Sequence, residues 1–260
     1  MQILVCLKPV PEPGTVKVDP QTHTLRREGS RLILNPPDRF ALEAAVRLKE
    51  STNGRLVAVS MGPPNAKEIL IEALACGADE AFLLSDRAFA GADTLATSYV
   101  LSLAAQKLGP FALIVCGKVS VDGETAQVGP ELAAWLGWPS VIWVKKVSLR
   151  EDKLFLTRVT DEGEEDILAR PPLVITIENE SYDPRPPSIK RLLWARGTEI
   201  PSLTAADLGA KEEYLGLEGS PTQVLDVFTP RHEGGREVIT GEAHEVVDTL
   251  VSHLKERGLI

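Results

Sequence analysis

The sequence predicts an α/β protein: a doubly wound, mostly parallel sheet with helices on both faces, followed by a C-terminal arm. Three observations carry this prediction. Short apolar runs bounded by turn residues recur between segments of helical periodicity, from Ile3 to Ile177. Several of these runs are continuously apolar rather than alternating, the pattern of strands buried on both faces. Beyond Asn179 the alternation stops, so residues 1–180 are expected to form the α/β domain and residues 181–260 a segment of different character.

Residues 3–7 (Ile-Leu-Val-Cys-Leu) are the first strand. Pro9, Pro11 and Pro13 then take the chain out of the sheet in a stiff loop, and residues 17–34 suggest an exposed hairpin. Asn35-Pro36-Pro37-Asp38 opens a helix, with Asp38 the candidate N-cap, and Phe40, Leu42, Ala45, Val46 and Leu48 carry its periodicity to Asn53-Gly54. Residues 55–60 are the second strand, 65–75 a helix closed by Gly77, 80–84 the third strand, and 94–108 a long Ala- and Leu-rich helix closed by Gly109-Pro110. Residues 111–116 are a fourth buried strand, and 131–136 a helix stopped by Gly137 and Pro139. Residues 141–147, 153–158 and 173–177 read as further strands, with a hairpin turning at Glu151-Asp152. Ser188 to Arg196 is a short helix after a proline-rich stretch, residues 198–238 lack a convincing alternation, and 240–257 form an amphipathic helix with Val246, Val247, Leu250, Val251 and Leu254 on one stripe.

Composition excludes several classes. A net charge of −9 argues against general nucleic-acid binding. The apolar runs are too short to cross a membrane. The start lacks the basic region and cleavage site of a signal peptide, and the three cysteines have no metal-like spacing, so buried reduced thiols in a cytoplasmic protein are expected. The four histidines are scattered and read as solvated. There is no Gly-x-Gly-x-x-Gly at the first helix, no Gly-x4-Gly-Lys-Ser/Thr, and no motif for a nucleophilic triad.

The candidate site is the loop Gly117-Lys118-Val119-Ser120-Val121-Asp122-Gly123-Glu124-Thr125-Ala126-Gln127-Val128, between the fourth strand and its helix. Unpaired N–H groups at such a helix start can hold a phosphate. Gly117, Ser120, Gly123 and Ala126 allow close approach, Ser120 and Thr125 offer hydroxyls, and Lys118 a positive charge. In a doubly wound sheet this loop converges with Cys6 to Pro9 and Ser60 to Gly62, and Asn35 to Asp38 close over the same crevice. Asp122 and Glu124 read as helix-capping or solvated groups rather than an acid–base pair. No residue there is a strong nucleophile, so the site reads as Rossmann-like nucleotide binding rather than hydrolysis.

Five segments then point to a family: residues 3–8; Asn35-Pro36 with 41–50; 57–63; Ala73-Leu74-Ala75-Cys76-Gly77-Ala78-Asp79; and 117–130. Over nearly its whole length the chain resembles the beta subunit of electron-transfer flavoprotein. The resemblance implies an electron-carrier subunit without catalytic residues of its own. An alpha subunit holds the redox FAD, and an adenine nucleotide, usually AMP, is buried in the beta subunit at Cys6, Asn35, Pro36, Pro37, Asp38, Met61 and the Gly117 to Val128 loop. It also implies electrons arriving from acyl-CoA-type flavin dehydrogenases, as in fatty acid beta-oxidation, and leaving to an acceptor such as a quinone oxidoreductase. The docking helix falls on Ser188, Ile189, Lys190, Arg191, Leu192 and Leu193, with Ile189 as the anchor, and the C-terminal arm wraps the alpha subunit.

Two departures open alternatives. Thr125-Ala126-Gln127-Val128-Gly129-Pro130 replaces the Asn-Gln-Thr-Gly-type segment of AMP-binding members and resembles electron-bifurcating members with a second FAD in place of AMP. Val10-Pro11-Glu12-Pro13-Gly14 carries no aromatic where some members set a Tyr against the flavin. A single-chain adenine-nucleotide sensor or hydrolase of similar fold is the rival outside the family.

Overall fold

The computed structural model describes residues 1–12, 17–18, 25–26, 31–225 and 238–260. Contacts group the chain into two units, Met1–Asp226 and Val227–Ile260. The first unit contains β1 (Gln2–Cys6), β2 (Pro9–Pro11), β3 (Lys17–Val18), β4 (Leu25–Arg26), β5 (Leu32–Leu34), α1 (Pro36–Thr52), β6 (Arg55–Met61), α2 (Lys67–Cys76), β7 (Glu80–Leu84), α3 (Thr94–Leu108), β8 (Leu113–Gly117), α4 (Val128–Leu136), β9 (Ser140–Arg150), β10 (Lys153–Thr160), β11 (Gly163–Ala169), β12 (Leu173–Ile177), α5 (Ile189–Gly197), β13 (Ser202–Leu203) and α6 (Ala205–Leu208). The second contains α7 (Ala243–Glu256), whose start is closed by a capping box between Glu242 and Glu245, and whose Val247 and Leu250 are exposed.

The main sheet runs β11-β10-β9-β12-β8-β1-β6-β7-β13. It is parallel from β9 through β13, and β9, β10 and β11 form an antiparallel ribbon at one end. β1 sits between β6 and β8, with Val5 opposite both Ala58 and Val115. The period of two sends neighbouring residues to opposite cores. Ile3, Val5, Ala58 and Val115 pack under α1 and α2, whereas Leu4, Cys6, Val57, Ile114 and Cys116 pack under α3 and α4. The doubly wound fold is therefore present, and its winding reverses between β1 and β8, where a ligand crevice belongs.

The two sheet edges differ. β13 is two residues long. β11 exposes Glu164, Glu165 and Asp166, which pair with Lys145 (2.6 Å), Arg158 (2.7 Å) and Thr157 (2.8 Å). Sequence reading left β11 out because its acidic run looks like a loop; the β10 ladder and these cross-strand pairs hold it extended.

Other departures have local causes. Pro9–Pro11 is a strand, paired antiparallel with β5 in a separate two-stranded ribbon, where each strand has an open side that tolerates a missing N–H. The expected hairpin over 17–34 is described only at the β3–β4 pairing and at 31–34; its remaining residues, and Pro13 and Gly14 of the loop without an aromatic, lie outside the described residues. Asn35 holds the N-cap position of α1, without a side-chain cap bond, and Pro36 its first position, so Asp38 is not the N-cap. It is the third residue of the first turn, and buried. α4 begins at Val128, three residues before the sequence expectation, which places Pro130 in its first turn, where a missing N–H costs nothing.

Candidate functional site

The carboxyl ends of β1 and β8 are joined by the first turn of α1. Asn35 is completely buried. Its amide donates to Asp38 Oδ1 (2.9 Å) and to the Val119 carbonyl (2.9 Å), and its Oδ1 accepts from the Val121 N–H (3.1 Å). One side chain therefore holds a carbonyl and an N–H of the loop that follows β8. Asp38 Oδ2 accepts from the Lys8 N–H (2.7 Å) at the end of β1. Gly117 lies so close that a Cβ there would meet the Asp38 carboxylate, which is why this position takes glycine.

The loop turns tightly on the Ser120 carbonyl, which accepts from Gly123 (3.2 Å) and Glu124 (2.8 Å). Glu124 and Ala126 take the left-handed conformation, at φ 49° and 56°. Gly123, where a left-handed turn would ordinarily use a glycine, does not: two non-glycine residues bear that conformation instead. Lys8 Nζ reaches Ser120 Oγ (3.1 Å) and Asp122 Oδ1 (2.6 Å), so Asp122 closes the loop onto β1. Val121, Asp122, Gly123, Glu124, Thr125 and Gln127 are exposed, and Lys118, Val119, Ser120, Ala126 and Val128 are half-buried. At the far end, the Thr94 hydroxyl of α3 lies 3.1 Å from Glu131 Oε1 and 3.3 Å from Gln127 Oε1, which ties the starts of α3 and α4 together.

Electrostatics follow from this packing. Burial pushes Asp38 from the ordinary 3.8 to about 7, against the opposing bonds from Lys8 and Asn35. Burial also opposes ionisation of Asp122, but the Lys8 ammonium outweighs it and holds that carboxyl below its usual range. Cys6, hydrogen-bonded to Cys116 and buried, is pushed well above an ordinary thiol, the opposite of an activated nucleophile. Burial raises Glu131 as well. Lys118 is engaged by Glu178, at 2.9 and 3.0 Å, and lies 4.9 Å from the Trp143 ring centroid.

The structure thus brings together Cys6, Asn35, Pro36, Pro37, Asp38 and the loop from Gly117. Met61 ends β6, the neighbour of β1 on its other side, and packs against the same cluster as Cys6 and Cys116. Sequence reading did not find Thr94, Trp143, Thr176, Glu178 or Glu131 as neighbours of the loop; they come from distant elements and carry no local motif. The arrangement offers hydroxyls, a cation and the N–H groups of a helix start, suited to an anion held largely by backbone.

The docking segment is also built on α1. Arg185 donates to Glu43 Oε2 (2.8 Å) and to Glu50 Oε1 (2.6 Å); desolvation would raise the buried Glu43, but its bonds from Arg185 and Arg47 outweigh that and hold it below the usual carboxylate range. The proline-rich stretch therefore lies along α1. α5 packs on α2 rather than standing away from the body, and Arg191 donates to the carbonyls of Leu74 (2.9 Å) and Ala78 (2.7 Å) at the end of α2. Ile189 is 79% exposed and Leu193 68%, whereas Leu192 turns toward the core beside the fully buried Ala195. Helical spacing alone would put Ile189, Leu192 and Leu193 on one apolar stripe; in the structure the i, i+4 pair faces out and Leu192 faces in.

A family model, the electron transfer flavoprotein domain, matches residues 22–208. The chain is 46% identical to electron transfer flavoprotein subunit beta of Thermoanaerobacterium thermosaccharolyticum, over all of both chains. It is 44% identical to the caffeyl-CoA reductase-Etf complex subunit CarD of Acetobacterium woodii, again over all of both chains. It is 38% identical to the protein FixA of Bradyrhizobium diazoefficiens, over 96% of this chain and 90% of that one.

Proposed function

Because the chain belongs to the electron-transfer flavoprotein family as a beta subunit, and so has an electron-transfer role with an alpha-subunit partner, we propose that it buries an adenine nucleotide, AMP, on the Gly117 to Val128 loop. The observation that carries this is the clamp at the β1–β8 junction. Asn35 and Asp38 fix the loop from below, which leaves its outer residues and the start of α4 to receive a phosphate. The fit is of the right chemistry: a cation, two hydroxyls and backbone donors, with no activated nucleophile.

The FAD held mainly by the alpha subunit supplies the redox chemistry when bound. This chain's part is to hold the nucleotide, shape one wall of the flavin's surroundings and present Ile189 and Leu193 to an electron donor. The kinship with a subunit of a caffeyl-CoA reductase complex favours acyl-CoA-type flavin dehydrogenases as donors. A quinone oxidoreductase fits as acceptor, α7 fits as the arm that wraps the alpha subunit, and the cytoplasm fits the reduced, buried cysteines.

The segment Thr125 to Pro130, together with that same relative, favours a second reading: an electron-bifurcating form with a second FAD in place of AMP. Denaturing the purified heterodimer and counting released flavin and AMP separates these readings. One FAD with one AMP supports the carrier, and two FADs support bifurcation. No adenine nucleotide beyond the alpha-bound FAD removes the site from this chain. An isolated chain that is monomeric, flavin-free and cleaves ATP would instead establish the sensor or hydrolase.

A further inference from the structure

Trp143 takes a backbone conformation that a bulky side chain rarely adopts. Its φ is 60°, in the left-handed region. The cause is a bulge between β9 and β12. Ile175 pairs with Val141 and Ile177 with Val144, so Ile142 and Trp143 together oppose the single residue Thr176. Bulges re-aim side chains, and strain of this kind persists where the surroundings over-determine it. Here the bulge aims two groups of one residue at the two ends of the candidate loop.

At the start of the loop, the indole faces Lys118, whose Nζ is 4.9 Å from the ring centroid. Glu178 holds the same ammonium from the side and is itself fixed by its N–H on the Val144 carbonyl (3.0 Å). At the end of the loop, the Trp143 N–H donates to Thr176 Oγ1 (3.0 Å). Thr176 is buried, and its methyl lies against Gly129 in the first turn of α4; a Cβ on Gly129 would sit 2.5 Å from it. One strained residue therefore touches the cation that opens the loop and, through Thr176, the helix start that closes it.

We infer that Trp143 is a positioning residue for the nucleotide loop: it holds Lys118 in an oriented rest position and seats the start of α4, so that a phosphate group of an adenine nucleotide draws Lys118 from Glu178 without first ordering it. This rests on the nucleotide reading given above. The attraction between ammonium and indole is of the cation–π kind, and the ring also narrows the rotamers open to Lys118.

The test uses the chain co-purified with its alpha subunit and stripped of loosely bound nucleotide, with AMP and FAD as the two probes. Trp143→Gly removes the ring and relieves the strain, Trp143→Phe keeps an aromatic face, and Lys118→Met removes the cation. Trp143→Gly should weaken binding about 2- to 12-fold, the cost of ordering one long side chain that the ring otherwise holds in place before the ligand arrives. Trp143→Phe should recover most of that loss. The double variant Trp143→Gly, Lys118→Met should be no weaker than Lys118→Met alone, because the two residues act as one unit. AMP should also change tryptophan emission more in the parent than in Trp143→Phe, where Trp135 of α4 still reports. If Trp143→Gly fails to fold, Thr176→Val, which keeps the methyl against Gly129 and removes the acceptor, should show a smaller loss in the same direction. Unchanged affinity in Trp143→Gly, or losses that simply add in the double variant, overturns the inference and leaves the nucleotide site standing. A parent protein that binds neither probe overturns the nucleotide reading itself, and this inference with it.

Discussion

Stability should carry a proton-linked component traceable to Asp38. Its carboxyl is buried at the β1–β8 junction and titrates near 7 rather than at the ordinary 3.8, chiefly through desolvation. Unfolding returns it to the ordinary value. Between those limits the folded protein keeps a proton that the unfolded chain releases. The contribution of this group is therefore complete below pH 3.8, declines as pH rises toward about 7, and is flat above. The difference between 3.8 and about 7 corresponds to about 4 kcal/mol as an upper limit. Asp93 and Asp122, both held below the usual carboxylate range, contribute the opposite slope at the acid end, where their stabilisation is lost as pH falls. Asp38→Asn separates the two effects. The amide keeps one acceptor, but its NH2 faces a donor, either Asn35 Nδ2 or the Lys8 N–H, at a pH-independent cost of about 1–3 kcal/mol. Urea unfolding of both proteins from about pH 4 to about pH 8 measures the difference. Relative to the variant, the parent should lose up to about 4 kcal/mol across that range. Two profiles that stay parallel would show that Asp38 titrates normally and that the burial argument is wrong.

Two further outcomes follow from packing. Gly117→Ala drives a methyl into the Asp38 carboxylate and to 3.2 Å from the Asp38 N and the Pro37 carbonyl carbon, so it should cost about 1–3 kcal/mol in thermal or urea unfolding; Gly123→Ala meets only Ser120 Oγ at 3.3 Å and should stay within about 0.5 kcal/mol of the parent. Ile189→Ala should leave the unfolding midpoint unchanged, because the side chain is 79% exposed, yet slow electron transfer from a docked dehydrogenase by about tenfold in stopped-flow measurements, consistent with roughly 1.5 kcal/mol of lost burial at the interface; a lowered midpoint with normal transfer would make Ile189 a packing residue.

Much of the sheet was legible because its strands are buried on both faces. β7, β12 and α3 fall on the residues that periodicity and turn signals mark, and the junction between β1 and β8 follows from the alternation. What was hidden depends on partners far away in the chain. Asp38 looks like a helix cap because cap propensity is local, while its actual partner, the Lys8 N–H, is 30 positions away. Leu192 and Ile189 look equivalent by spacing until α2 supplies a neighbour for one of them. β2 was hidden by its prolines and β11 by its acids, since both are extended only because a neighbouring ladder holds them. At the loop, the sequence marked the hydroxyls and the cation, but the residues that hold Lys118 and Gly129 belong to a bulge between β9 and β12 that no motif announces.

The two ends of the nine-stranded sheet bear on how the chain behaves before any partner reaches it. A sheet this wide would ordinarily offer two lines of unmatched peptide groups to other copies of itself. One end stops after two residues, too few to template a neighbour. The other carries three consecutive acidic side chains, so a second copy laid alongside would bring its own acids into the same narrow space. Both features disfavour edge-to-edge growth into ribbons, while Ile189 and Leu193 stay open to solvent.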